Sequence, residues 1–313
     1  VSFTVRILGS SSALPTSRRF LPAHLLNVNE HFFLIDCGEG TQIQLRKYKV
    51  KLGKINHIFI SHVHGDHIYG LFGLLSTFSL LERKQKLHIF GPDILEDLLL
   101  DHLKYFSNEL TYELIIHKVN SRRSACIFSD KNVEVFTIPL EHRVPACGFL
   151  FREQVKELNM RKEMILKYNI PVQEIVKIKQ GADLTTGDGR IIPHTELTLP
   201  PNKPRSYAYC SDTIYSENII DYIKGADLLF HEATFATEDS KMAEITSHST
   251  ASQAAEIARR AGVGKLLIGH FSSRYKNVGL LENQARELFP ETYAVNDGDL
   301  FEVKQKRIIE DNV

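Results

Sequence analysis

The chain has 313 residues, 43% of them hydrophobic and 24% charged, with a formal net charge of zero. That is enough apolar material for a large core, and the length admits about two domains, although single α/β domains reach ~250 residues. Zero net charge excludes a protein that grips nucleic acid with its whole surface, so a nucleic-acid substrate requires local basic patches.

The first residues, through Ser2-Phe3-Thr4-Val5, alternate like a strand and lack the basic-then-apolar order of a signal peptide. No apolar run approaches the ~18–20 residues of a membrane span. The expectation is a soluble cytoplasmic protein without a membrane partner. Four cysteines (Cys37, Cys126, Cys147, Cys210) are widely spaced without a CxxC pair. They are expected to be buried free thiols in a reducing compartment.

In chain order, Phe3 to Leu8 reads as a strand, followed by a loop rich in Ser, Pro and Arg from Gly9 to Pro22. Ala23–Val28 and His31–Ile35 form a hairpin around Asn29-Glu30. A tight turn at Asp36-Cys37-Gly38-Glu39-Gly40 launches a short helix, Thr41 to Tyr48. His57–Ser61 is a buried strand, a loop covers 62–66, and Ile68–Leu81 is an apolar helix. Leu87–Phe90 is a strand, and Asp93–Phe106 a helix with apolar residues at helical spacing. Further strands are predicted at Val133–Ile138, Tyr207–Cys210, Asp227–Phe230 and Lys265–Ile268, with helices at Thr250–Ala261 and Leu280–Leu288. Alternating strands and helices predict α/β layers. The charged segment from about 152 to 190 fits poorly and reads as an insertion carrying a helix over Val155–Tyr168.

The decisive segment is His62-Val63-His64-Gly65-Asp66-His67, with four metal-capable side chains within six residues, just past a buried strand. His62 and His64 are two apart, so in an extended turn they point the same way. Gly65 allows a bend that turns Asp66 and His67 towards a second point. One tetrahedral metal does not need so many ligands from one loop; two adjacent metals do.

This segment resembles the metallo-β-lactamase superfamily, and the resemblance runs from Phe3 to about Val303. It implies a four-layer αββα sandwich spanning residues 1–313 as one domain, with a flexible arm inserted at about 152–190. It also implies two zinc ions per subunit. His62, His64 and His142 would hold one, Asp66, His67 and His270 the other, and Asp212 would bridge them. Within the superfamily, His231-Glu232-Ala233-Thr234, His248-Ser249-Thr250 and Ser272-Ser273-Arg274-Tyr275 resemble motifs of the ribonuclease Z family.

The activity implied is removal of the 3′ trailer from precursor tRNA by a metal-bridging hydroxide, leaving a 3′-hydroxyl on the tRNA. The partners implied are precursor tRNA and a second copy of the chain in a homodimer. Asp66 would be ligand and base, while His248, held by Glu232, would protonate the departing ribose oxygen, since a neighbouring carboxylate favours the charged imidazole. A purely structural reading of His248, as a neighbour of a helix cap near Thr250, stays open. Ser272, Ser273 and Arg274 would hold phosphate, the arginine by its fork.

The loop Pro15-Thr16-Ser17-Arg18-Arg19-Phe20 keeps the proline and Arg19 of the family's Pro-x-Lys-x-Arg-Asn but has Ser17 and Phe20 where the family has Lys and Asn. Arg19 is expected to touch the substrate. The arm lacks the family's Gly-Pro motif, yet residues 152–179 carry seven basic and four acidic side chains. The run Arg46-Lys47-Tyr48-Lys49-Val50-Lys51 is either a second basic patch or a solvated helix end. Two other function classes remain: a phosphodiesterase for small nucleotides, and a non-catalytic RNA-binding module on the same fold.

Overall fold

The structure is a computed structural model and describes residues 2–106 and 110–305. These fall into two compact units. One comprises the chain up to Arg152 together with Ser206–Val303; the other is Glu153–Arg205, joined by Lys304 and Gln305.

The larger unit holds two seven-stranded sheets. The first contains β1 (Phe3–Gly9), β2 (Ala23–Val28), β3 (His31–Ile35), β4 (Ile55–Phe59), β5 (Leu87–Gly91), β6 (Leu114–Lys118) and β14 (Leu300–Glu302), in the order β14-β1-β2-β3-β4-β5-β6. The second contains β7 (Cys126–Ser129), β8 (Val133–Leu140), β9 (Ala146–Glu153), β10 (Ser206–Cys210), β11 (Leu228–Glu232), β12 (Leu266–Gly269) and β13 (Thr292–Ala294), in the order β13-β12-β11-β10-β9-β8-β7. Pairing is parallel from β3 to β6 and from β10 to β13, and antiparallel from β14 through β1 and β2 to β3.

Alternation along the strands sorts side chains into layers. Phe3, Val5 and Ile7 of β1, Phe59 of β4, and Cys147, Phe149 and Phe151 of β9 fill one core shared by both sheets. The opposite face of the first sheet, with Leu34, Ile58 and Ile89, packs on Leu71, Leu74, Leu75 and Phe78 of the helix Gly65–Leu80. The outer face of the second sheet packs on the alanine-rich helix Ala251–Ala261. Strands covered on both faces read as continuous apolar runs, as parallel strands in α/β proteins do. The result is two sheets flanked by helices, the αββα arrangement.

The hairpin turn at Asn29-Glu30 has positive φ at both residues (52° and 67°), the geometry that two-residue hairpins prefer. Thr250 caps the helix Ala251–Ala261 through a reciprocal capping box with Gln253, and Gly262 ends it in the left-handed conformation.

Some elements differ from the sequence reading. The helix after β4 begins at Gly65 rather than Ile68, so Asp66 and His67 lie in its first turn. The expected helix over Val155–Tyr168 is only Lys162–Lys167, because Asn159-Met160 pairs antiparallel with Thr198-Leu199. The inserted unit also runs to Arg205 rather than to about 190, because Leu184-Thr185 pairs with Ile191-Ile192 and the chain returns to the Asn159 strand. Cys37, Cys147 and Cys210 are buried free thiols, but Cys126 is exposed on β7. Arg46 and Lys47 form the exposed last turn of the helix Thr41–Lys47, with Lys47 over the Tyr48 ring.

Candidate metal centre

Five of the seven candidate ligands stand just beyond the carboxyl end of a strand, where loops of an α/β sheet converge on ligands, and Asp66 and His67 lie in the first turn of the helix that follows β4. His62 and His64 follow β4, and His142 follows β8. Asp212 lies two residues past β10, and His270 one residue past β12. His270 is in the left-handed region (φ 59°), and so is Ser247 (φ 58°), whose turn delivers His248. Such backbone is uncommon for residues other than glycine and clusters at functional sites. Gly38 is required here: a side chain on it would meet the Asp66 carbonyl at 2.4 Å, and this close approach seats the first turn of the Gly65–Leu80 helix.

The seven residues form two groups. In the first, His62 Nε2 lies 3.1 Å from His64 Nδ1, His142 Nε2 lies 3.3 Å from the same atom, and Asp212 Oδ2 lies 3.6 and 3.8 Å from His62 and His142 Nε2. In the second, Asp66 Oδ2 lies 3.6 Å from His67 Nε2 and 3.5 Å from His270 Nε2, while Asp212 Oδ1 is 3.3 and 3.2 Å from the same two nitrogens. The two oxygens of Asp212 thus face different groups. A metal with ligands at about 2.0–2.1 Å has tetrahedral edges of roughly 3.3 Å, so these spacings fit two tetrahedral metal sites.

Four of the five histidine donors are freed by a partner on the other side of the ring. His62 Nδ1–H donates to Ser61 Oγ (3.0 Å), His142 Nδ1–H to the Ser247 carbonyl (2.8 Å), His270 Nδ1–H to Thr234 Oγ1 (2.9 Å) and His67 Nδ1–H to Asp36 Oδ2 (2.8 Å). The buried Nε2 atoms of His67 and His270 have no hydrogen-bond partner among the described residues, which is costly unless an ion takes them.

Electrostatics point the same way. Burial, with the neighbouring His67, holds His62 well below the ordinary histidine range, and burial also lowers His64 and His142. These rings therefore offer neutral lone pairs, as metal ligation requires. Burial would depress His67, but Asp212, Asp66 and Asp36 around it raise it well above its usual value. Three carboxylates packed about one imidazole make a pocket that demands positive charge. Burial opposes ionisation of Asp212, yet His270, His67 and His62 hold it well below the usual carboxylate range.

Beside the cage, His248 Nδ1 pairs with Glu232 Oε1 at 2.8 Å. Glu232 is fully buried and also accepts from the Thr213 amide (3.1 Å), the Thr234 amide (3.0 Å) and Thr234 Oγ1 (2.7 Å). Burial alone would lower His248, but the Glu232 carboxylate overrides it and pushes the imidazole up to about 9. One ring nitrogen of His248 lies within 4.8 Å of Asp212 and His270 donors. The Glu232 carboxylate thus favours the charged imidazole at the edge of the cage.

The expected substrate residues divide. Ser272 and Ser273 line a cavity of about 330 Å³ with Ser17, Arg18, Arg19 and Lys276. Arg274 instead lies over the Phe235 ring and pairs with Asp239 at 3.3 Å. Arg19 is half-buried and spends its guanidinium on Ser10, Val295 and Asn296. Sequence reasoning missed Asp36, which takes hydrogen bonds from the Ser61 amide (2.8 Å), Ser61 Oγ (2.9 Å), His67 and Tyr209 Oη (2.7 Å). Its signal is an aspartate ending an apolar strand, but its partners come from distant segments.

Comparison with known proteins agrees with this geometry. The family described as Anti-Pycsar protein Apyc1 matches residues 3–157, and the beta-lactamase superfamily domain matches residues 197–271. A ribonuclease Z of Phocaeicola vulgatus is 50% identical over 93% of this chain and 94% of its own length, and one of Bacteroides fragilis is 48% identical over 93% and 95%. The crystal structure of human tRNase Z, short form, superposes with a TM-score of 0.70 at 26% identity, covering 96% of this chain and 99% of that one. The chain belongs to the ribonuclease Z family, on the metallo-β-lactamase fold.

Proposed function

We propose that this chain is a metal-dependent endonuclease that cuts the 3′ trailer from precursor tRNA, acting in the cytoplasm as a homodimer with two zinc ions in each subunit. The observation that carries the reading is the double cage of His62, His64, His142, Asp66, His67, His270 and Asp212 standing beside the charged Glu232–His248 pair. Relatives that share about half of its residues bear the name ribonuclease Z.

When bound, the two metals supply Lewis acidity towards the phosphodiester and lower the pKa of water from 15.7 to roughly 7. Asp66 orients the attacking water and accepts its proton. The water oxygen joins phosphorus as the bond from phosphorus to the 3′-oxygen breaks, and His248 gives its proton to that oxygen. The products are a tRNA with a 3′-hydroxyl and a trailer with a 5′-phosphate. Glu232 keeps His248 charged and in register for this transfer, a role worth typically 10²–10⁴-fold for a positioned acid. Arg18, Lys276, Ser17, Ser272 and Ser273 bind phosphates flanking the cut. The inserted unit, residues 153–205, holds none of the seven ligands; it meets the body of the tRNA and takes no part in the chemistry.

The test is to incubate the purified zinc-loaded protein with a 3′-extended tRNA transcript and map both new ends. A single cut 3′ of the discriminator nucleotide, with 3′-hydroxyl and 5′-phosphate ends, is expected. Failure to cut, with brisk hydrolysis of small cyclic nucleotides by the same sample, overturns the reading in favour of a small-nucleotide phosphodiesterase.

A further inference from the structure

The loop between β1 and β2 is closed at its base by a backbone contact that only glycine permits: a Cβ on Gly9 would lie 1.8 Å from the Leu21 carbonyl oxygen. The amides of Ser10 and Ser11 then both donate to the Phe20 carbonyl, at 3.0 and 2.9 Å. From this base the loop is laced to the segment that carries His270. The Phe271 amide donates to the Ser10 carbonyl and the Ser12 amide to the Phe271 carbonyl, each at 3.0 Å.

Arg19 locks the far side. Its Nη1 donates to Ser10 Oγ (2.6 Å) and to the Val295 carbonyl (2.8 Å), and its Nη2 to Asn296 Oδ1 (2.9 Å). The guanidinium carbon stands 5.1 Å from the centre of the Phe271 ring. Asp297 completes the clamp by accepting from Ser10 Oγ (2.7 Å) and from the Phe20 amide (2.6 Å).

The loop held this way ends on the cage. Ala13, in the left-handed region (φ 53°), donates its amide to Asp66 Oδ2 at 3.0 Å. That oxygen is the one facing His67 and His270. An alanine keeps this conformation only where its surroundings over-determine it. A carboxylate that holds a metal is oriented by such an outer hydrogen bond.

Although Arg19 borders the cavity lined by Arg18 and Lys276, we propose that it is a positioning residue for Asp66 rather than a phosphate contact: its clamp on Ser10, Val295 and Asn296 sets the 10–20 loop so that the Ala13 amide aims the Asp66 carboxylate. This rests on the reading of Asp66 as ligand and base. The fork is the reason arginine is needed, since it reaches a hydroxyl, a carbonyl and an amide oxygen at once, which the point charge of a lysine does not.

The experiment compares Arg19→Lys with the parent chain in three measurements: zinc affinity by competition with a chromogenic chelator, without RNA; kcat and KM on 3′-extended tRNA across a salt series; and hydrolysis of a small nitrophenyl phosphodiester. Loss of an outer partner typically costs 10–100-fold in metal affinity or activity. The expected result is a loss of about tenfold in zinc affinity, with kcat falling alike on both substrates. KM for tRNA and its salt slope should stay at the parental values. A phosphate contact would do the reverse, raising KM with zinc affinity intact and, in Arg19→Gln, where the charge is lost, lowering the salt slope by about 0.7–0.9. That outcome, or parental values throughout, overturns the proposal. Should Arg19→Lys fail to fold in a thermal melt, Ser10→Ala, which removes the hydroxyl shared by Arg19 and Asp297, is scored by the same criteria. The chelator assay involves no RNA, so it separates failure of this inference from failure of the functional reading.

Discussion

In the sandwich, the groups around the metal centre are held from several sides in full burial. Asp36 takes four hydrogen bonds from residues 61, 67 and 209, and Glu232 takes four from residues 213, 234 and 248. The inserted unit is built differently. Its core consists of Ile170, Ile178, Leu184, Ile192 and Leu197, its strands are two residues long, and Leu166, Val172 and Ile191 are exposed. One deep interaction stands out, the bidentate pair of Arg205 with Glu153 at 2.8 and 2.9 Å, both side chains nearly inaccessible to solvent. Chemistry that needs atoms placed within fractions of an ångström sits where burial and hydrogen bonding over-determine each position. A segment with little buried apolar surface opens at low free-energy cost, which suits a surface that adapts to a large ligand.

The largest effect expected is from Asp66→Ala. Loss of a general base alone costs roughly 10²–10⁴-fold, and loss of a metal ligand adds to it, while tRNA binding in a gel-shift assay should survive. Near-parental turnover would remove Asp66 from the chemistry.

His248→Ala should slow cleavage of precursor tRNA by roughly 10²–10⁴-fold and a nitrophenyl phosphodiester far less, because nitrophenolate departs without a proton. Equal losses on the two substrates would return His248 to a structural role.

Glu153→Gln sharpens the comparison from the other side. It leaves the Arg205 guanidinium buried without its carboxylate, a change that costs about 3–5 kcal/mol. Hydrogen exchange should accelerate across residues 153–205 while the amides of β10–β12 keep their protection; acceleration in both units alike would show that they open together. The same pair has a pH signature. Burial would raise Glu153, but the Arg205 fork holds its carboxyl below the ordinary range. A depressed carboxyl contributes its full stability above the usual glutamate pKa of about 4.3 and loses it as pH falls through the lowered value. Protection of the inserted unit should therefore fade on that acid side and be unchanged by it in Glu153→Gln.

The smallest effect is expected from Lys162→Ala with Lys167→Ala, two exposed cations of the inserted unit. If they meet tRNA phosphates, each should remove about 0.7–0.9 from the slope of log affinity against log salt, with kcat unchanged. An unaltered slope would place the RNA elsewhere.

How far the sequence could be read follows from the range of the interactions concerned. The cluster His62-His64-Asp66-His67 is visible because one strand end and one helix start bring four ligands together within six residues. The helix begins three residues before its apolar pattern indicates, since Gly65 disfavours a helix by propensity and only packing beneath Gly38 and on the first sheet overrides that. The hairpin at Asn29-Glu30 and the capped helix after Thr250 are likewise local, set by turn and cap chemistry.

Arg18 and Arg19 look alike in sequence and both border one cavity, yet Arg19 is also tied to residues 295 and 296, nearly the whole chain away. The short strand at Asn159-Met160 is invisible to local pattern because its partner, Thr198-Leu199, lies about forty residues on. The sequence by itself determined the ligand types, the layered α/β pattern and the turns, because each depends on neighbours within a few residues. Which carboxylate steadies which imidazole, which arginine is tied into the fold and where the inserted unit closes depend on hydrogen bonds between distant segments, which exist only once the chain has packed.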